Sequence, residues 1–310
     1  MKQGDMRTSY GEALIELGGI NKDVVVVGAD TTQSLKASMF SSKYPDRLFN
    51  VGIAESNAVS IAAGLALGGK IAFTSTYAAF IPGKCVDQIR NAIAYPNLNV
   101  KIVVSHGGLS VGPDGASHQQ LEDIATMRAI PRMRVLVPAD AIATRKLTLL
   151  IANIDGPFYM RLARPSSPLI YEEDEEFEIG KAKILRDGND VSLLACGLMV
   201  YEALEAANIL KEEGISAKVL DMFSIKPIDR DAITYAANTN GIVTIEEHNI
   251  YGGLGSAVSE VVVETKPIRM LRIGVEDRFG ESGEADELLD KYGLKAKHIA
   301  DKVRNFLKEK

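Results

Sequence analysis

Cysteine is scarce. Only Cys85 and Cys196 occur in 310 residues. They lie far apart and form no Cys-x-x-Cys, so neither a disulfide framework nor a zinc site is supported. Long basic runs are missing and the net charge is −6, which argues against nucleic acid as a partner. No apolar run reaches the roughly 18 residues of a membrane span without a polar residue or a glycine. The segment from Met1 to Arg7 lacks the apolar core of a secretory signal. These absences predict a soluble, cytoplasmic protein with no membrane partner. Charge is also missing from one internal stretch: between Arg47 and Lys70 the only ionisable side chain is Glu55.

What remains is ordinary globular material, 46% hydrophobic and 25% charged, with enough length for two domains. Short apolar runs alternate with helical stretches. Strands are predicted at Asp23–Gly28, Lys70–Ser75, Val100–Ser105, Arg134–Val137 and Phe158–Leu162. Helices are predicted near Thr8–Leu17, Ala54–Leu67, Ala79–Ala94, Gln119–Ala129 and Ala141–Ile154. Uninterrupted apolar strands separated by helices specify an α/β fold, a mostly parallel sheet covered on both faces. The acidic run Glu172–Glu178 reads as a solvated linker, and the pattern then restarts. The second set has strands at Val191–Ala195, Ala217–Leu220, Ile242–Ile245 and Met270–Ile273. Its helices are Tyr201–Glu213, Asp229–Ala237, Leu254–Val263 and Ala296–Lys308. The expected division is residues 1–170, an acidic linker at 171–185, and a second α/β domain at 186–310. No internal repeat is visible.

Glu55 lies in Val51–Leu67, which reads as a buried helix rich in small residues. A carboxylate there is costly unless paired, and desolvation raises a carboxyl pKa. Raised carboxyl pKa values in apolar sites accompany proton chemistry. A first-turn carboxylate favoured by the helix dipole, with its head in water, explains the run equally well.

Parallel sheets place ligands beyond the carboxyl ends of their strands. Four loops qualify: Ala29–Ser34, Ser75–Ile81, Ser105–His118 and Arg161–Pro165. They collect Asp30, Ser34, Tyr77, Phe80, His106, Asp114, His118 and Arg164. Each has an ordinary explanation taken singly. Asp30 is a possible helix cap, Tyr77 and Phe80 core residues, Asp114-Gly115 a turn, Arg164-Pro165 a strand end and His118 a helix entry. Together, on one edge of one sheet, they predict a site. Arginine forks match phosphate. Imidazoles titrating near about 6.5 shuttle protons at neutral pH. Tyr77 and Phe80 offer a flat face for a heteroaromatic ring.

These residues stand in segments that resemble transketolase, specifically its C-terminal half. The segments are Gly52-Ile53-Ala54-Glu55, Thr74-Ser75-Thr76-Tyr77-Ala78-Ala79-Phe80, Asp87-Gln88-Ile89-Arg90, Ser105-His106, Gly112-Pro113-Asp114-Gly115-Ala116-Ser117-His118-Gln119 and Arg161-Leu162-Ala163-Arg164-Pro165. The likeness continues through Asp221-Met222-Phe223-Ser224-Ile225-Lys226-Pro227-Ile228-Asp229 and Glu246-Glu247-His248. Order and spacing hold over nearly the whole chain. The resemblance implies a pyrimidine-binding domain followed by a transketolase C-terminal domain, and thiamine diphosphate-dependent transfer of a two-carbon ketol unit from a ketose phosphate to an aldose phosphate in pentose phosphate metabolism. Glu55 would bond N1′ of the aminopyrimidine and favour its imino tautomer. Tyr77 would stack on that ring with Phe80 beside it, and Asp30 would lie near the thiazolium. Ser34, His106 and Arg164 would grip the sugar phosphate, and Asp114 and His118 would contact substrate hydroxyls. Glu55, His106 and His118 form the implied catalytic set.

Some positions depart from the family pattern. Pro113 stands where a glutamate often precedes the aspartate, Ser56 replaces a common glutamine, and Tyr77 replaces the commoner phenylalanine. The larger departure is an absence: no Gly-Asp-Gly occurs anywhere, although the family's diphosphate-binding half carries one followed by a metal-ligating Asn. Gly252-Gly253-Leu254-Gly255 opens a helix and reads as a tight turn more readily than as an anion site. Met1 begins close to where the pyrimidine domain should start. The expectation is a split enzyme whose diphosphate and Mg2+ or Ca2+ are held by a separate N-terminal subunit, with two copies of each chain and no metal ligand here. Three rivals fit less well. The beta subunit of a 2-oxoacid dehydrogenase has a different aromatic segment and a different glutamine-histidine loop. 1-Deoxyxylulose-5-phosphate synthase has Asp-Arg-Ala-Gly where this chain has Ser105-His106-Gly107-Gly108. A non-catalytic scaffold sits badly with intact Glu55, His106, Asp114 and Arg164.

Overall fold

A computed structural model describes residues 2–309. Seven strands form the larger sheet, in the order Ser224–Lys226, Arg134–Leu136, Phe158–Arg161, Val100–Ser105, Ile71–Tyr77, Val24–Gly28, Leu48–Asn50. All are parallel except Ser224–Lys226, which runs antiparallel to Arg134–Leu136. Val24 to Val27 are all buried. Because strand side chains alternate between faces, Val24 and Val26 join one apolar layer and Val25 and Val27 the other. Helices Met6–Ile20 and Ala141–Ala152 cover the first face, and Glu55–Leu67 and Ile81–Gln88 the second. Burying each valine stabilises the fold by about 1.5–3 kcal/mol. From Val24–Gly28 the chain passes outward to Leu48–Asn50, then returns to Ile71–Tyr77 on the opposite side. That reversal opens a crevice at the carboxyl ends of Val24–Gly28 and Ile71–Tyr77.

The second sheet has five strands, ordered Met270–Val275, Ile242–Asn249, Val191–Ala195, Ala217–Asp221, Lys183–Arg186, with only Lys183–Arg186 antiparallel. Both apolar layers continue through it. The strand Ser224–Lys226 crosses from this half of the chain to the edge of the larger sheet, and the Lys226 ammonium donates to the carbonyls of Arg128 and Ile130, both at 2.7 Å. The acidic run is exposed at most positions but pinned at its aromatic residues. Tyr171 donates to Asp221 at 2.7 Å, and Phe177 packs edge-on against Tyr171 and Phe223.

Several elements differ from the sequence expectation. The helix expected over Ala79–Ala94 begins at Ile81 and becomes a π-helix at Ile89–Ala94. The helix expected from Gln119 begins at Asp123, because the Gln119 amide is engaged with three carbonyls. The glycine-rich helix start at 252–255 is filled from within: the buried Glu246 carboxylate accepts the N–H groups of Leu254 at 2.7 Å and Gly255 at 2.8 Å. Cys85 and Cys196 are free and buried. Among the described residues no helix is long and apolar enough to cross a membrane.

Candidate functional site

Tyr77 ends its strand at the sheet reversal and organises what surrounds it. Its ring stacks on the His106 imidazole with centroids 3.9 Å apart and planes 28° apart. Its hydroxyl donates to Ser34 Oγ at 2.8 Å. Phe80 lies 5.6 Å away, and the His118 ring meets Phe80 edge-on at 5.4 Å and Tyr77 at 6.4 Å. Five residues expected at the site therefore touch in one cluster.

His106 follows the buried strand Val100–Ser105 with φ +60° and is 2% exposed. Its Nδ1 shares a 2.7 Å hydrogen bond with Ser105 Oγ. Burial, reinforced by the nearby charges of Arg7 and Arg164, pushes its pKa down to about 3. The imidazole is therefore neutral at physiological pH. At that pH the ring presents a neutral hydrogen-bonding group. His118 is half-buried, its Nδ1 3.0 Å from Ser117 Oγ.

Arg7 was not among the residues singled out from the sequence. It sits in the first turn of Met6–Ile20, where Asp5 caps the helix by accepting the Thr8 N–H at 2.9 Å. Arg7 Nη2 bonds Asp5 at 2.9 Å and Nη1 reaches the Ser34 carbonyl at 3.4 Å, while buried Nε has no partner among the described residues. A cation in the first helical turn runs against the macrodipole, which was the available signal. Arg164 anchors its guanidinium on the Val111 carbonyl. Both guanidinium charges act on His106 and Arg7 also reaches Ser34, a donor set suited to an anion although Asp5 engages one end of the Arg7 fork.

Glu55 opens the helix Glu55–Leu67 and is 5% exposed. The pairing that burial demands comes from Lys84, whose ammonium is 3.3 Å from Oε2 and lies 4.7 Å above the Phe80 ring. Because Lys84 is half exposed, the pair contributes only about 0–1 kcal/mol to stability. Glu55 Oε1 makes no hydrogen bond among the described residues. Lys84 thus ties Glu55 to the Phe80 side of the cluster.

Asp30 and Asp114 stand apart. Asp30 is exposed at φ +62°. Its N–H donates to Asn50 Oδ1 at 2.9 Å, and Asn50 Nδ2 donates back to Asp30 Oδ1 at 3.3 Å. Asp114 is exposed at the end of the 3-10 segment Leu109–Asp114, between Gly112 and Gly115, both of positive φ. No hydrogen bond joins either to the aromatic cluster among the described residues. Among those residues, too, no group of three His, Cys, Asp or Glu side chains is placed to hold a metal ion.

Comparison with known proteins adds independent findings. Residues 2–168 match the family described as transketolase, pyrimidine binding domain, and residues 180–299 match transketolase, C-terminal domain. The chain is 49% identical over 307 residues to a Methanocaldococcus jannaschii protein provisionally named a transketolase C-terminal section, covering 98% of this chain and 96% of that protein. It is 41% identical over 295 residues to a 6-deoxy-6-sulfo-D-fructose transketolase subunit of Clostridium sp. (strain MSTE9), covering 95% and 92%. A solved split-gene transketolase, described as an inactive tetramer of β chains, superposes with a TM-score of 0.90 at 46% identity, covering 98% of both chains.

Proposed function

This chain belongs to the transketolase family, and we propose that it is the C-terminal subunit of a two-chain transketolase. It transfers a two-carbon ketol unit from a ketose phosphate to an aldose phosphate, in pentose phosphate metabolism and in the cytoplasm. A separate N-terminal subunit holds the diphosphate of thiamine diphosphate and its Mg2+ or Ca2+, and two copies of each chain assemble. The observation that carries this reading is the Tyr77 cluster, with its anion-accepting corner on one side and buried Glu55 on the other.

The residues fit the aminopyrimidine end of the cofactor. Glu55 is a buried carboxylate with Oε1 open, the acceptor a protonated ring nitrogen requires, and Lys84 links it to half-buried Phe80, which packs on Tyr77. When bound, thiamine diphosphate supplies carbanion stabilisation. Glu55 holds the proton at N1′, and Tyr77 and Phe80 support the ring. Arg7, Arg164 and Ser34 bind the sugar phosphate. Neutral His106 adds a hydrogen bond there without adding charge. His118, partly open to solvent, exchanges a proton with a substrate hydroxyl. Asp114 would bond a second hydroxyl and Asp30 would serve the thiazolium side of the cofactor, both from exposed loop positions. The similarity to a subunit named for a sulfosugar makes the anionic group of the substrate the variable part of this reading.

The test is reconstitution. Ketol transfer is measured for this chain alone and for this chain mixed with the N-terminal subunit, thiamine diphosphate and Mg2+. Activity only in the mixture supports the proposal. High activity from the chain alone refutes it.

A further inference from the structure

The loop that carries Asp114 and His118 is held from outside its own domain. Its 3-10 segment Leu109–Asp114 is preceded by Gly108 at φ +86° and interrupted by Gly112 at φ +79°. One end is gripped by Glu247, on the strand Ile242–Asn249 of the second sheet. Glu247 Oε1 accepts the Ser110 N–H, and Oε2 accepts the Ser110 hydroxyl at 3.2 Å. A Cβ added to Gly108 would lie 2.4 Å from the Glu247 carboxyl carbon, so only glycine admits this approach. Burial pushes the Glu247 carboxyl up and Arg161 pulls it down. Arg161 itself donates to the Glu247 carbonyl at 2.9 Å and pairs with Asp123 at 3.1 Å. The other end is gripped by residues 279–283. Buried Gln119 donates to the Glu281 carbonyl at 2.9 Å, and also to the carbonyls of Leu109 and Gly112 inside the loop. Gly115 approaches so closely that an added Cβ would lie 2.4 Å from Ser282 Oγ.

We infer that Glu247 is a positioning residue through which the second domain sets the geometry of the substrate loop. The inference rests on the ketol-transfer reading for its kinetic consequence, and on hydrogen bonds alone for its structural one. A carboxylate that takes both donors of one residue fixes that residue's backbone and side chain together. Asp114 is four residues further on, so the clamp fixes where its carboxylate sits. A loop displaced by about 1 Å costs on the order of a hundredfold in rate. The second domain thereby acquires a role in substrate recognition without touching substrate.

The experiment uses the assembled two-chain enzyme carrying Glu247→Ala, Glu247→Gln or Ser110→Ala. Two readouts are kept separate: deuterium uptake of the peptide spanning residues 107–120, and steady-state kinetics with cofactor C2–H exchange. Glu247→Ala is expected to raise uptake in that peptide and to lower kcat/KM about tenfold to a hundredfold, with C2–H exchange within twofold of wild type. Glu247→Gln keeps an acceptor for the N–H and a group that bonds the hydroxyl, so it is expected to restore protection and most of kcat/KM. Ser110→Ala, which keeps the backbone N–H bond to Glu247 and removes only the hydroxyl bond, is expected to lower kcat/KM about fivefold to tenfold. Unchanged uptake in Glu247→Ala overturns the inference. So does a loss of C2–H exchange equal to the loss of kcat/KM, or a Glu247→Gln as impaired as the alanine variant. Deuterium uptake does not depend on activity, so failure of the ketol-transfer reading leaves the clamp tested on its own.

Discussion

Neutral His106 gives the folded chain a defined dependence on pH. Its pKa is about 3, with burial the first cause and Arg7 and Arg164 next, while an unfolded chain's histidine titrates near about 6.5. Between those values the unfolded state binds the extra proton, so stability falls as pH falls below about 6.5. The loss is complete only at about pH 3. Each pKa unit corresponds to about 1.36 kcal/mol, so between pH 7 and pH 5 the group costs about 2 kcal/mol. His106→Gln removes the titrating ring and keeps a hydrogen-bonding side chain. Urea unfolding of both proteins at the two pH values isolates the effect from every other titrating group. The wild-type stability minus the variant stability is expected to drop by about 2 kcal/mol on going from pH 7 to pH 5. A difference that stays constant, or an imidazole resonance of His106 titrating near pH 6.5, refutes the assignment of a neutral ring.

Three further outcomes follow from the same contacts. Arg7→Ala and Arg164→Ala are each expected to raise KM for phosphorylated sugars about tenfold, the worth of a charge-assisted hydrogen bond, and to leave unphosphorylated substrates nearly unaffected; equal effects on both classes contradict a phosphate corner. Arg161→Met strands Asp123 in a buried position and is expected to cost about 3–5 kcal/mol in urea unfolding; a loss below about 1 kcal/mol would mean the pair is not desolvated. Lys84→Met is expected to change stability by no more than about 1 kcal/mol, because the ammonium is half exposed.

The strands legible in the sequence were those buried on both faces. Val24–Gly28 carries an unbroken valine run and Val100–Ser105 an apolar run interrupted only by Lys101, and burial on both faces is what such runs report. The missed elements are short or half exposed. Leu48–Asn50 has three residues with Phe49 exposed, and Ser224–Lys226 pairs with a strand far away in sequence. Neither has a local pattern that betrays it. At the site, Ser34, Tyr77, Phe80, His106 and His118 were found because all lie at or beyond the carboxyl ends of parallel strands. Arg7 escaped that rule because a helix delivers it. Lys84 escaped because a lysine on a helix is ordinarily solvated, and only the burial of Glu55 gives it a partner. The charge state of His106 was not legible for a physical reason: residue type does not reveal that the ring would be buried, with two arginines from other elements sharing its surroundings.

We propose that Glu55 governs proton sharing at the cofactor's pyrimidine ring. Its most direct test is the rate of cofactor C2–H exchange into deuterium oxide in the assembled two-chain enzyme, wild type against Glu55→Gln, at saturating cofactor. A sharply slower exchange in the variant, with a milder loss of cofactor binding, is expected. An unchanged exchange rate contradicts it.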